Sequence, residues 1–219
     1  MAALRQTYQD QLTELQQDIL KMSSIVEEMI RTSMSSLVNR DVEEATRAKR
    51  MDDLVDQLNL KIEDRCLHLL ALQQPMARDL RTIAAALKII TDVERMGDYS
   101  VDIAKMSIRL VDQTACPSLP KLQQSADIVI QMIRETLRSF IERDIEMIEG
   151  MIRMDDEVDR LNREIHAEVI SQIAANPRCA ECSIGYLLMS RFLERIADHC
   201  TNVGERVYYM ETGELKELH

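Results

Sequence analysis

The sequence predicts an all-α protein of two tandem three-helix bundles, six long helices related by a pseudo-twofold axis. Three observations carry that prediction. Only five Gly and four Pro interrupt 219 residues, leaving long stretches in which a helix need not break. Met occurs fourteen times beside many Leu, Ile and Ala, while aromatics make up 3% and Trp is absent, a supply of helix formers with few strand-loving residues. Finally, a set of residues near position 50 recurs about a hundred positions later. With 46% hydrophobic and 30% charged side chains, the chain is too apolar for disorder and long enough for one large or two small cores.

From Tyr8, the apolar positions Leu12, Leu15, Ile19, Met22, Val26, Met29 and Leu37 recur mostly at three-four spacing, the mark of one helix face. Asn39-Arg40-Asp41 supplies a capping signal for a second helix, which carries Val55, Leu58, Ile62 and Leu69 inward and ends near Gln74-Pro75. The third follows Pro75 with a stripe of Leu80, Ala84, Leu87, Thr91, Glu94, Asp98 and Val101, and runs to about Val111. Asp112 to Pro120, holding Pro117, Ser118 and Pro120, is the boundary, dividing the chain into residues 1–112 and 113–219.

The pattern then restarts. Arg40-Asp41, Glu43, Arg50-Met51-Asp52-Asp53, Val55-Asp56, Leu58-Asn59 and Ile62 return as Arg143-Asp144, Glu146, Arg153-Met154-Asp155-Asp156, Val158-Asp159, Leu161-Asn162 and Ile165. Pro75 corresponds to Pro177, and Glu94-Arg95 with Asp98 to Glu194-Arg195 with Asp198. Helices four to six are therefore expected near Leu119–Phe140, Asp144–Ala175 and Cys182–Met210. A repeat of this length is domain-sized, which favours duplicated bundles over a solenoid of short units.

Charge excludes one class of partner. A net charge of -11, with Lys and Arg scattered among acids, repels a phosphate backbone, so no nucleic-acid partner is expected. Apolar runs such as Ile83–Leu87 are far shorter than a bilayer span, and the polar start Arg5–Asp10 has no signal-peptide core. A cytoplasmic protein without direct membrane insertion is the expectation. Five cysteines (Cys66, Cys116, Cys179, Cys182, Cys200), an odd and scattered number, argue for reduced thiols. Cys179-Ala-Glu-Cys182 lacks the second pair a zinc site needs and is expected to be an ordinary helix-end pair.

The chemistry lies in the acids. Asp52 and Asp56 on the second helix face Glu94 and Asp98 on the third, and Asp155, Asp159, Glu194 and Asp198 repeat the arrangement. Residues four apart sit one turn apart on the same face. One such pair in an acidic chain is most often a solvated face; two pairs kept in both repeats are a stronger signal. Grouped carboxylates raise one another's pKa unless a cation sits between them, and all-oxygen donors select Mg²⁺, Ca²⁺, Mn²⁺ or iron ahead of Zn²⁺ or Cu²⁺. Which divalent or trivalent ion, and how many, the residues leave open. Arg95 and Arg195 are candidates for supporting the acids or binding an anion, as are Arg78 and Arg81, whose counterparts in the second half are not basic. His68, His166, His199 and His219 do not form the Glu-x-x-His pairs of di-iron bundles, although His199 follows Asp198. No phosphate loop or activated nucleophile is visible, so no catalytic residue is assigned.

Leu72-Gln-Gln-Pro-Met-Ala-Arg-Asp-Leu-Arg81, Leu87-Lys-Ile-Ile-Thr-Asp-Val-Glu-Arg-Met-Gly-Asp98, the paired Met51-Asp-Asp-Leu-Val-Asp56 and Met154-Asp-Asp-Glu-Val-Asp159, and Phe192-Leu-Glu-Arg-Ile-Ala-Asp-His199 with Asn202 and Glu205 closely resemble the PhoU family of phosphate-specific transport accessory proteins. The likeness spans nearly the whole chain in order. It implies paired three-helix bundles, multinuclear metal sites on the acidic motifs, a homodimer, and a negative regulator of phosphate-starvation signalling. That regulator would link a phosphate ABC transporter to a membrane sensor histidine kinase. Asp102 and Lys105 depart from the family's Asn and Glu, Ala197 replaces a Gly, and Asn59 and Asn162 stand where an acid is common. The expected function is a non-enzymatic metal-binding adaptor; the alternatives are a carboxylate-bridged metalloenzyme or a regulator of another ion transporter.

Overall fold

The computed structural model describes residues 2–73, 76–113 and 116–218, with side chains from Tyr8 on apart from those of residues 72 and 73. The expected helix end at Gln74-Pro75, and His219, lie outside the described residues. All regular structure among the described residues is helical: α1 (Ala2–Asn39), α2 (Val42–Arg50), α3 (Asp52–Gln73), α4 (Ala77–Leu110), α5 (Pro120–Glu142), α6 (Met147–Ala175) and α7 (Ala180–Thr212), the last preceded by a 3₁₀ turn, Pro177–Cys179.

The apolar face of α1 is buried as its spacing predicts, with Leu15, Ile19, Met22, Val26 and Met29 fully inaccessible. The helix stops at Arg40, which turns left-handed at φ 57°, and the amide of Asp41 reaches back 3.0 Å to the carbonyl of Ser36. That six-to-one closure is a Schellman motif. Arg143, at φ 58°, ends α5 in the same way, with the Asp144 amide 3.1 Å from the Ser139 carbonyl. Asp41 then caps α2, its Oδ1 accepting from the Glu44 amide at 3.0 Å.

Where one continuous second helix was expected, the chain makes two. The Met51 amide is shared between the carbonyls of Arg47 (3.3 Å) and Ala48 (3.2 Å), so the helix tightens for a single step before α3 begins. Its counterpart α6 runs unbroken.

The α4 stripe also differs from expectation. Leu80 is 46% exposed and Ala84 and Thr91 lie outside, whereas Ile83, Ala86, Ile90, Val93 and Met96 form the buried face. Glu94 and Asp98 therefore sit on the rim of the bundle, partly accessible, and not on its innermost stripe. The physical reason is that α4 is buried on two sides, against α1 and α3 within its repeat and against α7 across the repeat, so its apolar surface is wider than one three-four row.

Helices α1 to α4 make one bundle and α5 to α7 the other, sharing a continuous core. Among the described residues, the helix-to-helix packing between bundles joins each helix to its own counterpart, α4 to α7 and α1 to α5. An interface in which each element meets its equivalent is what a twofold axis produces. The burial pattern of residues 82–100 also repeats residue for residue at 182–200. The approach is tight at Gly185, where a Cβ would stand 2.7 Å from Leu110 Cδ1.

The linker corrects the thiol expectation. Cys116 and Cys182 form a disulfide across a Cα separation of 5.3 Å, while Cys66, Cys179 and Cys200 are free and buried. Spacing along the sequence gave no sign of it, because the linker folds back over the first turn of α7. Cys179 and Cys182 do not bond to each other: one packs under the helix end and the other staples the linker. No helix among the described residues is long and apolar enough to cross a membrane.

Candidate functional site

Asp52 opens α3 with Asp56 one turn on, and α4 brings Glu94 and Asp98 alongside. Burial raises the Asp52 carboxyl, and the charges of Asp56, Asp98, Asp53 and Glu94 raise it further, from 3.8 to about 6. Glu94 is raised by burial and then by Asp98. The second half repeats this: Asp155 goes from 3.8 to about 6 through burial and the charges of Asp159, Asp198, Asp156 and Glu194. The eight acids are therefore grouped as two fours, each spanning two helices. The helices lie close here, a Cβ at Gly97 meeting Asp52 Oδ1 and Val55 Cγ1 at an ordinary contact distance of 3.4 Å.

Arginines already compete for some of these oxygens. Arg95 Nη1 lies 2.8 Å from Asp98 Oδ2, with Nε 3.6 Å from Glu94 Oε2. Arg195 Nη1 lies 3.2 Å from Asp198 Oδ2, and Arg163 Nη1 is 3.6 Å from Asp159 Oδ2. Glu194 is the most firmly held: Arg191 Nη1 donates to both its oxygens at 2.9 Å and Asn162 Nδ2 donates at 2.6 Å. Asn162 is steadied in turn by the Ser190 hydroxyl, 2.8 Å from its Oδ1. In the first half Ile90 stands where Ser190 would be, and the buried Asn59 Oδ1 has no partner among the described residues.

Among the described residues, no three His, Cys, Asp or Glu side chains stand around one common ion position. The donor set nevertheless fits a hard cation. Every ligand type is oxygen, and Asp52, Asp56 and Asp155 enter no ion pair among the described residues. Burial first, and then the neighbouring carboxylates, disfavour the charged forms of Asp52 and Asp155, an effect that a cation would oppose.

Arg78 and Arg81 are elsewhere. Arg78 pairs with Glu211 at 3.2 Å and Arg81 donates to the Met210 carbonyl at 3.1 Å, so both serve the C-terminal end of α7. His199 turns away from Asp198 to Asp92, its Nδ1 2.9 Å from Oδ1, where Asn202 also donates at 3.2 Å. Asp92 was not singled out from the sequence. The signal was there in the repeat: positions 92 and 199 correspond to 192 and 99, and Phe192 stacks on Tyr99 with centroids 6.2 Å apart. One contact pair at the axis is thus polar and its equivalent aromatic. His68 and His166 are exposed. Lys105 pairs with Asp102 at 2.8 Å, and Glu205 accepts from the Leu218 amide at 3.1 Å, so neither position adds to the acid groups.

The fold and these sites define a duplicated helical-bundle protein with one cross-helix acid group per repeat. The sequence profile of the PhoU domain matches residues 19–107 and 122–207. The phosphate-specific transport system accessory protein PhoU homolog of Clostridium acetobutylicum is 33% identical over 215 residues, 98% of each chain. That of Deinococcus radiodurans is 33% identical over 210 residues, 96% of this chain and 99% of its own. The crystal structure of PhoU from Pseudomonas aeruginosa superposes with a TM-score of 0.89 at 27% identity, covering 94% of this chain and 100% of that one. The phosphate transport system regulatory protein PhoU from Streptococcus pneumoniae gives 0.89 at 28%, covering 96% and 100%. The chain belongs to the PhoU family.

Proposed function

We propose that this chain is a metal-binding accessory and regulatory protein of phosphate transport, a cytoplasmic adaptor that restrains phosphate-starvation signalling by linking a phosphate ABC transporter to a sensor histidine kinase. The observation that supports it best is full-length similarity to phosphate-specific transport accessory proteins combined with two cross-helix carboxylate groups in which Asp52, Asp56 and Asp155 enter no ion pair among the described residues. In this reading the protein acts by binding and not by turnover, and works as a homodimer. Asp52, Asp56, Glu94 and Asp98 would hold metal in the first half, and Asp155, Asp159, Glu194 and Asp198 in the second.

A bound cation would supply positive charge that draws α3 to α4 and α6 to α7, tying helix geometry to metal supply. The protein's own groups set the terms. Arg95 and Arg195 hold Asp98 and Asp198 while metal is scarce, and Asn162 with Ser190 orients Glu194. The test is elemental analysis of protein purified without chelators or affinity metals, with its mass in solution. We expect iron, manganese, magnesium or zinc in stoichiometric amount, and Asp56→Ala with Asp98→Ala to remove the first half's share. Equal metal content in that variant and the parent contradicts the metal assignment, and failure of the protein to co-purify with the transporter contradicts the adaptor role.

A further inference from the structure

The pseudo-twofold axis exposes a missing partner. Arg143 ends α5 left-handed and donates from Nη1 to Glu211 Oε1 at 2.8 Å and from Nη2 to the Thr82 hydroxyl at 2.9 Å. Arg40 ends α1 in the same conformation, closed by the same Schellman bond. The register that makes Asp198 the counterpart of Asp98 makes Val111 the counterpart of Glu211 and Cys182 the counterpart of Thr82. Both groups that satisfy Arg143 are therefore absent from the other half, and the Arg40 side chain, more exposed than that of Arg143, enters no ion pair or hydrogen bond among the described residues.

In their place is a cavity of about 340 Å³. Arg40, Tyr186, Ser118 and Gln123 provide its polar part, and leucines such as Leu37, Leu110 and Leu122 its apolar part. Tyr186 is near enough to feel the Arg40 charge. Cys116 of the linker forms part of the wall and is anchored through its disulfide to Cys182, the position where Thr82 serves Arg143. The volume falls in the range of small-molecule sites. The pocket is separate from the acids, because Leu110 lies twelve residues beyond Asp98 on α4, about 18 Å at 1.5 Å per residue.

We propose that this pocket binds a small organic carboxylate with a short apolar body, whose carboxylate pairs with Arg40 as Glu211 pairs with Arg143, and whose body lies on the leucines. Arg presents a planar donor fork that matches a carboxylate, and the leucines offer a short apolar body a surface that inorganic phosphate cannot use. The site does not depend on the metal reading.

Calorimetric titration of the disulfide-intact protein with hexanoate, hexanol and inorganic phosphate tests it. Saturable one-to-one binding of hexanoate is expected, with hexanol and phosphate each at least about tenfold weaker. Arg40→Gln should weaken hexanoate about tenfold or more. Val111→Glu, which supplies the carboxylate internally as Glu211 does, should block binding while the thermal transition is retained. No saturable hexanoate binding, unchanged affinity in Arg40→Gln or in folded Val111→Glu, or tighter binding of phosphate than of hexanoate overturns the assignment.

Discussion

At Gly97 a single missing methyl group records how closely α4 lies to α3. Its counterpart, Ala197, is buried at 1% exposure, so the fold accepts a methyl at the equivalent position. The would-be Cβ of residue 97 meets its neighbours at ordinary van der Waals distance, 3.4 Å. Gly97→Ala should therefore stabilise the protein by about 0.5–1 kcal/mol in urea denaturation, through helix propensity. A loss of stability instead would show Asp52 to be rigidly fixed. The Ser190 to Asn162 to Glu194 relay makes the opposite prediction: Ser190→Ala should cost about 1 kcal/mol, since Asn162 Oδ1 loses its donor. The acids themselves were legible from four-residue spacing repeated in both halves. The relay was not, because Ser190 and Asn162 are ordinary helix residues whose meeting depends on which way two helices face.

Among the elements, the left-handed ends of α1 and α5 show how one local conformation serves two ends. Arg40 at φ 57° gains no described bond for its strain, so Arg40→Gly should stabilise by up to about 1 kcal/mol. Arg143→Gly gains the same relief but loses the bonds to Glu211 and Thr82, a charge-assisted bond being worth about 1.5–3 kcal/mol, and should destabilise on balance. Paired thermal melts check the contrast. Most helix ends were visible in the sequence because Pro and the Asn-Arg-Asp signal are local, whereas the break at Met51 carried no such signal and Gly97, Gly150, Gly185 and Gly204 lie inside helices. The inward face of α4 was misplaced for a non-local reason: a helix packed against α1, α3 and α7 shows a broad apolar surface, and periodicity alone does not say which row is innermost. The Cys116–Cys182 staple was hidden for the same cause, since only the folded path of the linker brings those residues together.

Across the whole molecule, proton and metal should act on the acid groups in opposite senses. Asp52 and Asp155 are raised from 3.8 to about 6, so the folded state holds those protons more tightly than the unfolded chain. These two groups contribute most to the stability of metal-free protein below about pH 4, and that contribution falls as pH rises toward 6 and levels off above, so Asp52→Asn with Asp155→Asn should raise stability at pH 7 more than at pH 4. Metal-loaded protein should lose its added stability as pH falls, because protons compete for the same oxygens. Denaturation midpoints measured from pH 4 to 8 with and without metal check both trends. The duplication that generates two such groups was plain in the sequence, yet its asymmetries were not, since they concern which residues meet across the axis. Those asymmetries follow from covalent fusion. In a dimer of identical single-repeat chains, any exchange at the axis would appear at both equivalent contacts, and Asp92 with His199 could not coexist with Tyr99 against Phe192. Joining the repeats in one chain lets each contact be changed on its own, so the two equivalent positions at the axis can carry different chemistry.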